Sequence, residues 1–321
     1  MNRSFKLIAL PRQEMTWPEF VANTPARSIA LDGMVKGPPC FDPKTLHFNF
    51  DHHHGVVRDA TMSTAMQVEI AIKTGLMEAL AVNGEPQGQI YFNDTDEDTS
   101  LATWQLVNHK LLEGTRTVPP ISRLLNLSSK WDITGGAYPL DLDSDLAKQC
   151  FWVFEPYTNL RRSGELAKAG PQTLHDNLLA VMSRITDLMM GQAGQIEPDL
   201  RCDILHNSPY YKIIREIGGT TARKHLFNQG MCACISFVAM RPDGKHVVSV
   251  GRRSQYTPFP VEELYEAYNQ AEGLTEGSRW SGSSLIGGSP RLTGTRLTWQ
   301  ELRDITDPIV AAHLAKMASL S

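Results

Sequence analysis

The stretch Asn49-Phe50-Asp51-His52-His53-His54-Gly55 sets one carboxylate directly before three imidazoles. Carboxylate beside neutral imidazole is a donor set for a borderline divalent cation such as manganese, iron or zinc, whereas an all-oxygen set suits magnesium or calcium. A solvated histidine turn is the alternative reading of the same run. A second cluster, Asp94-Thr95-Asp96-Glu97-Asp98, holds four acidic residues in five positions. A cation between them would relieve their repulsion, and Asp94 and Asp96, two apart, face the same way on extended backbone. Asp98 or Thr99 reads equally as the cap of a helix whose dipole welcomes acids. A calcium loop of EF-hand type is disfavoured, because counting from Asp94 neither the sixth position is Gly nor the twelfth Glu. Two isolated acids complete the set: Asp32, released by Gly33, and Asp132, followed by Gly135-Gly136. Asp32 reads either as a ligand at a strand end or as a turn residue capping a backbone amide.

The elements that must position these groups follow from periodicity. Alternating Leu46, Phe48 and Phe50 predict a strand that delivers the Asp51-His52-His53 triplet to its C-terminal end. Residues 5–10, 27–31 and 88–92 predict further strands, the last two ending near Asp32 and Asp94. Helical spacing is present at 61–80, 101–107, 121–127 and 172–190. Strands alternating with helices predict an α/β fold with a mostly parallel open sheet flanked by helices, which keeps ligands beyond the C-terminal strand ends. A single core seldom grows beyond roughly 250 residues, so a chain of 321 predicts two domains. Gly191, Gly194 and Pro198 close the 172–190 helix and mark a boundary, giving a metal-binding domain over 1–195 and a smaller α+β substrate-binding domain over 196–321.

In that second part, strand-like 232–240 and 246–250 flank the hairpin chemistry of Pro242-Asp243-Gly244, and a helix follows at 260–269. Next comes a small-residue loop, Ser281 to Arg291, containing Gly287-Gly288-Ser289. Such a loop lets backbone amides approach an anion, and Arg291 with its neighbouring arginines supplies positive charge. An ordinary glycine-rich turn is the other reading.

The net charge of −4 argues against coating duplex nucleic acid by bulk attraction and favours small phosphorylated ligands. The five cysteines form no even framework, which fits reduced thiols in a cytoplasmic protein. No apolar run reaches the roughly 18 residues of a membrane span or the core of a signal peptide.

The Asp51-His52-His53 triplet at a strand end, the Asp94-x-Asp96 pair followed by Ser100 and Ala102, and the strand-end Asp32 and Asp132 together resemble the DHH phosphoesterase superfamily. The Gly287-Gly288-Ser289-Pro290-Arg291 stretch is similar to the Gly-Gly substrate loop of that family's smaller domain. The resemblance implies a metal-dependent hydrolase of phosphoester or phosphoanhydride bonds, acting on a nucleotide, a short single-stranded oligonucleotide or another small phosphorylated substrate. Asp32, His52, Asp94, Asp96 and Asp132 would hold one or two Mn2+ ions, with Mg2+, Fe2+ or Zn2+ as alternatives. His53 would meet the phosphoryl oxygen or protonate the leaving group, and Asp51 would orient a histidine. Gly287, Gly288, Ser289 and Arg291 would hold the rest of the substrate, so that closure between the domains assembles the site. Two departures stand out: the triplet precedes the Asp-x-Asp in the chain, which requires a permuted strand order, and Ile90 stands where the family commonly has a His. A protein that kept the fold, binds nucleotide in a regulatory role and lost catalysis is the alternative.

Overall fold

The computed structural model describes residues 5–275 and 277–319. The fold is mixed α/β, with parallel and antiparallel strands in its sheets. The chain divides into two compact units, the first running to Ile133 and resuming over Asp143–Glu197, the second formed by Thr134–Leu142 and the chain from Pro198 onward.

In the first unit a five-stranded sheet runs Phe5–Ala9, Gly88–Phe92, Ser28–Leu31, His47–Phe50, Cys40–Asp42. The first four strands are mutually parallel and the last is an antiparallel edge. Ser28–Leu31 is central and buried at every residue, as a strand covered on both faces must be. Its register sets Leu31 opposite Phe50, so Asp32 and Asp51 leave the sheet side by side, and the Asp32 N–H donates to Phe50 O at 2.9 Å. Asp32 (φ 49°) and Gly33 (φ 78°) both lie in the left-handed region, which turns the chain sharply there. Asp is among the few side chains that tolerate that conformation.

Helices pack around this sheet. The expected helix over 61–80 is two, Thr64–Lys73 capped by Ser63 and a short Leu76–Ala79, because Gly75 takes φ 108° and interrupts the first. Glu97–Val107 is buried at every position from Asp98 to Leu106, and its Trp104 Nε1–H donates to Thr186 Oγ1 at 3.0 Å. Thr186 belongs to Pro171–Met189, whose inward stripe is Leu174, Leu178, Val181, Met182, Ile185 and Leu188. Burial of each large aliphatic side chain in such a stripe contributes about 1.5–3 kcal/mol, which is what anchors the helix. The helix Pro119–Ile133 carries Asp132 in its last turn.

The second unit has a six-stranded sheet ordered Cys202–Asn207, Lys212–Glu216, Ala233–Met240, His246–Arg252, Ile286–Gly288, Ser281–Gly282. Only the pair Lys212–Glu216 with Ala233–Met240 is parallel, and the helix Thr220–Asn228 lies between those two strands in the chain. One core gathers Ile235, Val250, Phe259, Tyr268, Trp280 and Leu302. A second gathers Ile214, Leu226, Phe227, Met231 and Cys234, and Ala137 from the earlier segment belongs to it. All five cysteines are free. No helix among the described residues is long and apolar enough to cross a membrane.

Candidate metal centre

His52 lies two residues past the end of the strand His47–Phe50 and is completely buried. Its Nε2 lies 2.7 Å from Asp132 Oδ2, 3.6 Å from Asp32 Oδ1 and 3.7 Å from Asp98 Oδ2. In spite of the 2.7 Å approach, neither ring nitrogen of His52 makes a hydrogen bond, and neither does Asp132 Oδ2. Buried polar atoms left this way are costly, so a group that satisfies several at once is the natural completion. Two overlapping sets have their ligand atoms within 4.8 Å of one another: Asp32, His52 and His53, and His52, Asp98 and Asp132. Imidazole nitrogen with carboxylate oxygens fits a borderline divalent cation, so the residues present suit the Mn2+-like ion that the triplet suggests.

Each carboxylate arrives from a different element. Asp32 ends the central strand, and its Oδ1 accepts from Thr64 Oγ1 at 3.0 Å. Asp98 stands in the first turn of Glu97–Val107 and accepts the backbone N–H groups of Thr64 at 2.5 Å and Ala65 at 3.0 Å. Asp132 comes from the end of Pro119–Ile133 and accepts from Arg58 Nη2 at 3.1 Å. Arg58 is 7% exposed and reaches past Asp132: its Nη1 is 2.9 Å from His53 Nδ1, while His53 Nε2 is 3.0 Å from Asp32 Oδ1.

Electrostatics divide the acids. Burial, then the charges of Asp96 and Asp132, push Asp32 well above the ordinary carboxylate value, with His52 opposing. Burial, then Asp132 and Asp32, do the same to Asp98. Burial acts on Asp132 too, but His52 and Arg58 outweigh it and hold its carboxyl low. For His52, burial works against the charged form, yet the Asp132 carboxylate overrides it and the ring is raised. Burial and the Arg58 guanidinium lower His53. Burial and neighbouring like charge raise both Asp32 and Asp98, and a cation beside them would oppose that shift.

Of the residues expected from sequence, Asp32, His52 and Asp132 converge here, with His53 beside them. Asp94 and Asp96 are placed otherwise. Asp96 is the N-cap of Glu97–Val107, its Oδ1 accepting from Thr99 N at 3.0 Å, and it acts on Asp32 through its charge. Asp94 accepts from Thr95 N at 2.7 Å and from Tyr157 Oη at 3.3 Å. The cap expected at Asp98 or Thr99 thus falls on Asp96, which releases Asp98 to the centre. Asp51 holds backbone: its Oδ1 accepts from Gly33 N at 3.0 Å and His53 N at 3.1 Å, and its nearest imidazole is His54, with Nδ1 3.8 Å from Oδ2. In the second unit, Gly287 and Gly288 are strand residues paired with Val250 and Ser249, and the Ser289 hydroxyl accepts from Val248 N. Arg291 follows that strand on an exposed turn.

The sequence pointed to Asp98 only as a helix cap or as one member of the acidic run, and to no role for Arg58 or Thr64. The usable signals were an acid at the second helical position, where a carboxylate points back beyond the N-terminus, and an arginine within one short loop of the triplet. No family model, no curated protein and no solved structure matches the chain.

Proposed function

We propose that the first unit is a metal-dependent hydrolase of phosphoester or phosphoanhydride bonds in a small phosphorylated substrate, a nucleotide or a short single-stranded oligonucleotide. The observation that carries this reading is the buried His52, whose ring nitrogens lack hydrogen bonds while Nε2 faces Asp32, Asp98 and Asp132 within 3.7 Å. The resemblance of the Asp51-His52-His53 triplet to DHH phosphoesterases supplies the reaction class.

His52, Asp32, Asp98 and Asp132 would hold the cation. A divalent ion there supplies Lewis acidity toward a phosphoryl oxygen and makes water acidic enough to attack near neutral pH. His53, whose side chain is 29% exposed beside the buried ligands, is positioned to donate from Nε2 to a phosphoryl or leaving-group oxygen in exchange for its bond to Asp32. Asp51 fixes the turn that presents both histidines by tying Gly33 and His53 through their backbone N–H groups. Arg58 balances the charge of Asp132.

The test is phosphate or nucleotide release from short oligonucleotides, cyclic dinucleotides and pyrophosphate with Mn2+. The expected result is turnover that EDTA removes, Mn2+ restores and His52→Ala abolishes. Equal rates for wild type and His52→Ala, or Mn2+ binding with no turnover of any of these substrates, overturns it.

A further inference from the structure

We infer that Arg58 is a positioning residue that locks His53 in the tautomer carrying its proton on Nε2, and so keeps His53 out of the metal's ligand set. The inference rests on the reading of the cluster as a metal centre. A guanidinium has only N–H donors and is charged at all working pH values. Arg58 Nη1 lies 2.9 Å from His53 Nδ1, so that nitrogen must offer a lone pair. A neutral imidazole with a lone pair on Nδ1 carries its hydrogen on Nε2, and Nε2 accordingly faces an acceptor, Asp32 Oδ1, at 3.0 Å.

Coordination through Nε2 needs the reverse, a lone pair on Nε2 and a proton on Nδ1. That proton would point at the guanidinium, which has no acceptor to offer. Arg58 cannot step aside cheaply: it is 7% exposed, its Nη2 donates to both Asp132 Oδ1 at 3.1 Å and Asp132 O at 3.2 Å, and its own Nε is already without a partner. The adjacent histidine is built the opposite way, since no donor addresses either nitrogen of His52. Of the two overlapping ligand sets, the one that needs His53 is closed and the one formed by His52, Asp98 and Asp132 is open. Two consecutive histidines thus have different jobs, one to ligate and one to donate, and the centre takes a single ion.

The experiment needs no turnover. Protein stripped of metal and labelled with 15N at its histidines is examined by long-range 1H–15N correlation, His53 being assigned by the signal lost in His53→Gln. The wild type is expected to show His53 protonated at Nε2 alone. Arg58→Met, which keeps the apolar stem and removes the donor, is expected to show exchange between both tautomers. Calorimetric titration with Mn2+ is expected to give one ion per wild-type chain. A wild-type His53 protonated at Nδ1, a tautomer unmoved in Arg58→Met, or two ions in the wild type overturns the inference. The wild-type spectrum decides even where Arg58→Met does not fold. Absence of hydrolysis beside a fixed Nε2–H tautomer counts against the proposed reaction alone.

Discussion

Asp98 accepts the Thr64 N–H at 2.5 Å, so a carboxylate from the helix Glu97–Val107 closes the N-terminus of the helix Thr64–Lys73. The bond joins two segments 34 residues apart in the chain. It also gives Asp98 a partial positive charge to lean on while its Oδ2 faces His52 at 3.7 Å. Thr64 turns its hydroxyl the other way, to Asp32 Oδ1. One residue therefore organises two of the three acids around His52, and the consequences can be measured.

Thr64→Val removes the hydroxyl and keeps the volume and the backbone bond to Asp98. Loss of such an outer partner typically weakens metal binding by about 10- to 100-fold, and that is the expected change in Mn2+ affinity. Thr64→Ser should restore most of it. Calorimetric titration distinguishes the three proteins, and equal affinities would show that the hydroxyl does not support a ligand.

Asp32→Asn separates charge from shape. Asn tolerates the left-handed backbone at this position, and its Oδ1 can accept from both His53 and Thr64 as the carboxylate does. What disappears is one negative charge from a buried set that repels it. The metal-free protein is expected to melt at a higher temperature than wild type, while its Mn2+ affinity falls by more than the roughly 100-fold upper range seen for outer partners. Scanning calorimetry with and without Mn2+ reads both effects.

The response to metal should depend on pH in a defined direction. Asp32 and Asp98 sit above the ordinary Asp value of 3.8 in the folded chain, so folding holds those protons more tightly than the unfolded chain does. The stability they contribute is complete below that value and is lost as pH rises through their raised pKa values. His52, raised above its ordinary 6.5, acts in the same sense, whereas Asp51 and Asp132, lowered, contribute above 3.8 and lose it as pH falls. A cation held by Asp32, Asp98 and His52 would compete with protons for them, so the rise in melting temperature on adding Mn2+ should be larger at pH 8 than at pH 5. Equal shifts at the two pH values would separate these groups from the metal.

Gly287→Ala tests whether the glycine pair of the second unit binds or packs. A Cβ there would run into Ser281 O, Tyr265 Oη and the Gly282 Cα. Forced overpacking of this kind costs about 1–3 kcal/mol, so urea denaturation should shift accordingly. Mn2+ affinity of the folded variant is expected to match wild type.

How much of this was legible beforehand follows from range. The strand ending at Phe50 could be read from local alternation and those ending at Leu31 and Phe92 from short apolar runs, and with them the placing of Asp32 and the triplet at strand ends. Which acid of Asp94, Asp96 and Asp98 turns inward could not, because capping and ligation use the same residue types. The choice is fixed by where Thr64 and Ala65 present their N–H groups, a tertiary fact. Arg58 was hidden for the same reason: its partner Asp132 lies 74 residues away. The helix expected over 61–80 ignored Gly75, whose φ of 108° ends the run.

The excursion Thr134–Leu142 begins two residues after Asp132 and belongs to the second unit, where Ala137 joins Ile214, Leu226, Phe227 and Met231. The polypeptide consequently changes unit three times, and no single scissile point yields both halves intact. A fragment starting at Pro198 carries an apolar wound where Ala137 should seal it. Anyone dissecting the molecule must graft the nine-residue excursion onto that fragment and bridge Ile133 to Asp143 in the other, or work with the full chain.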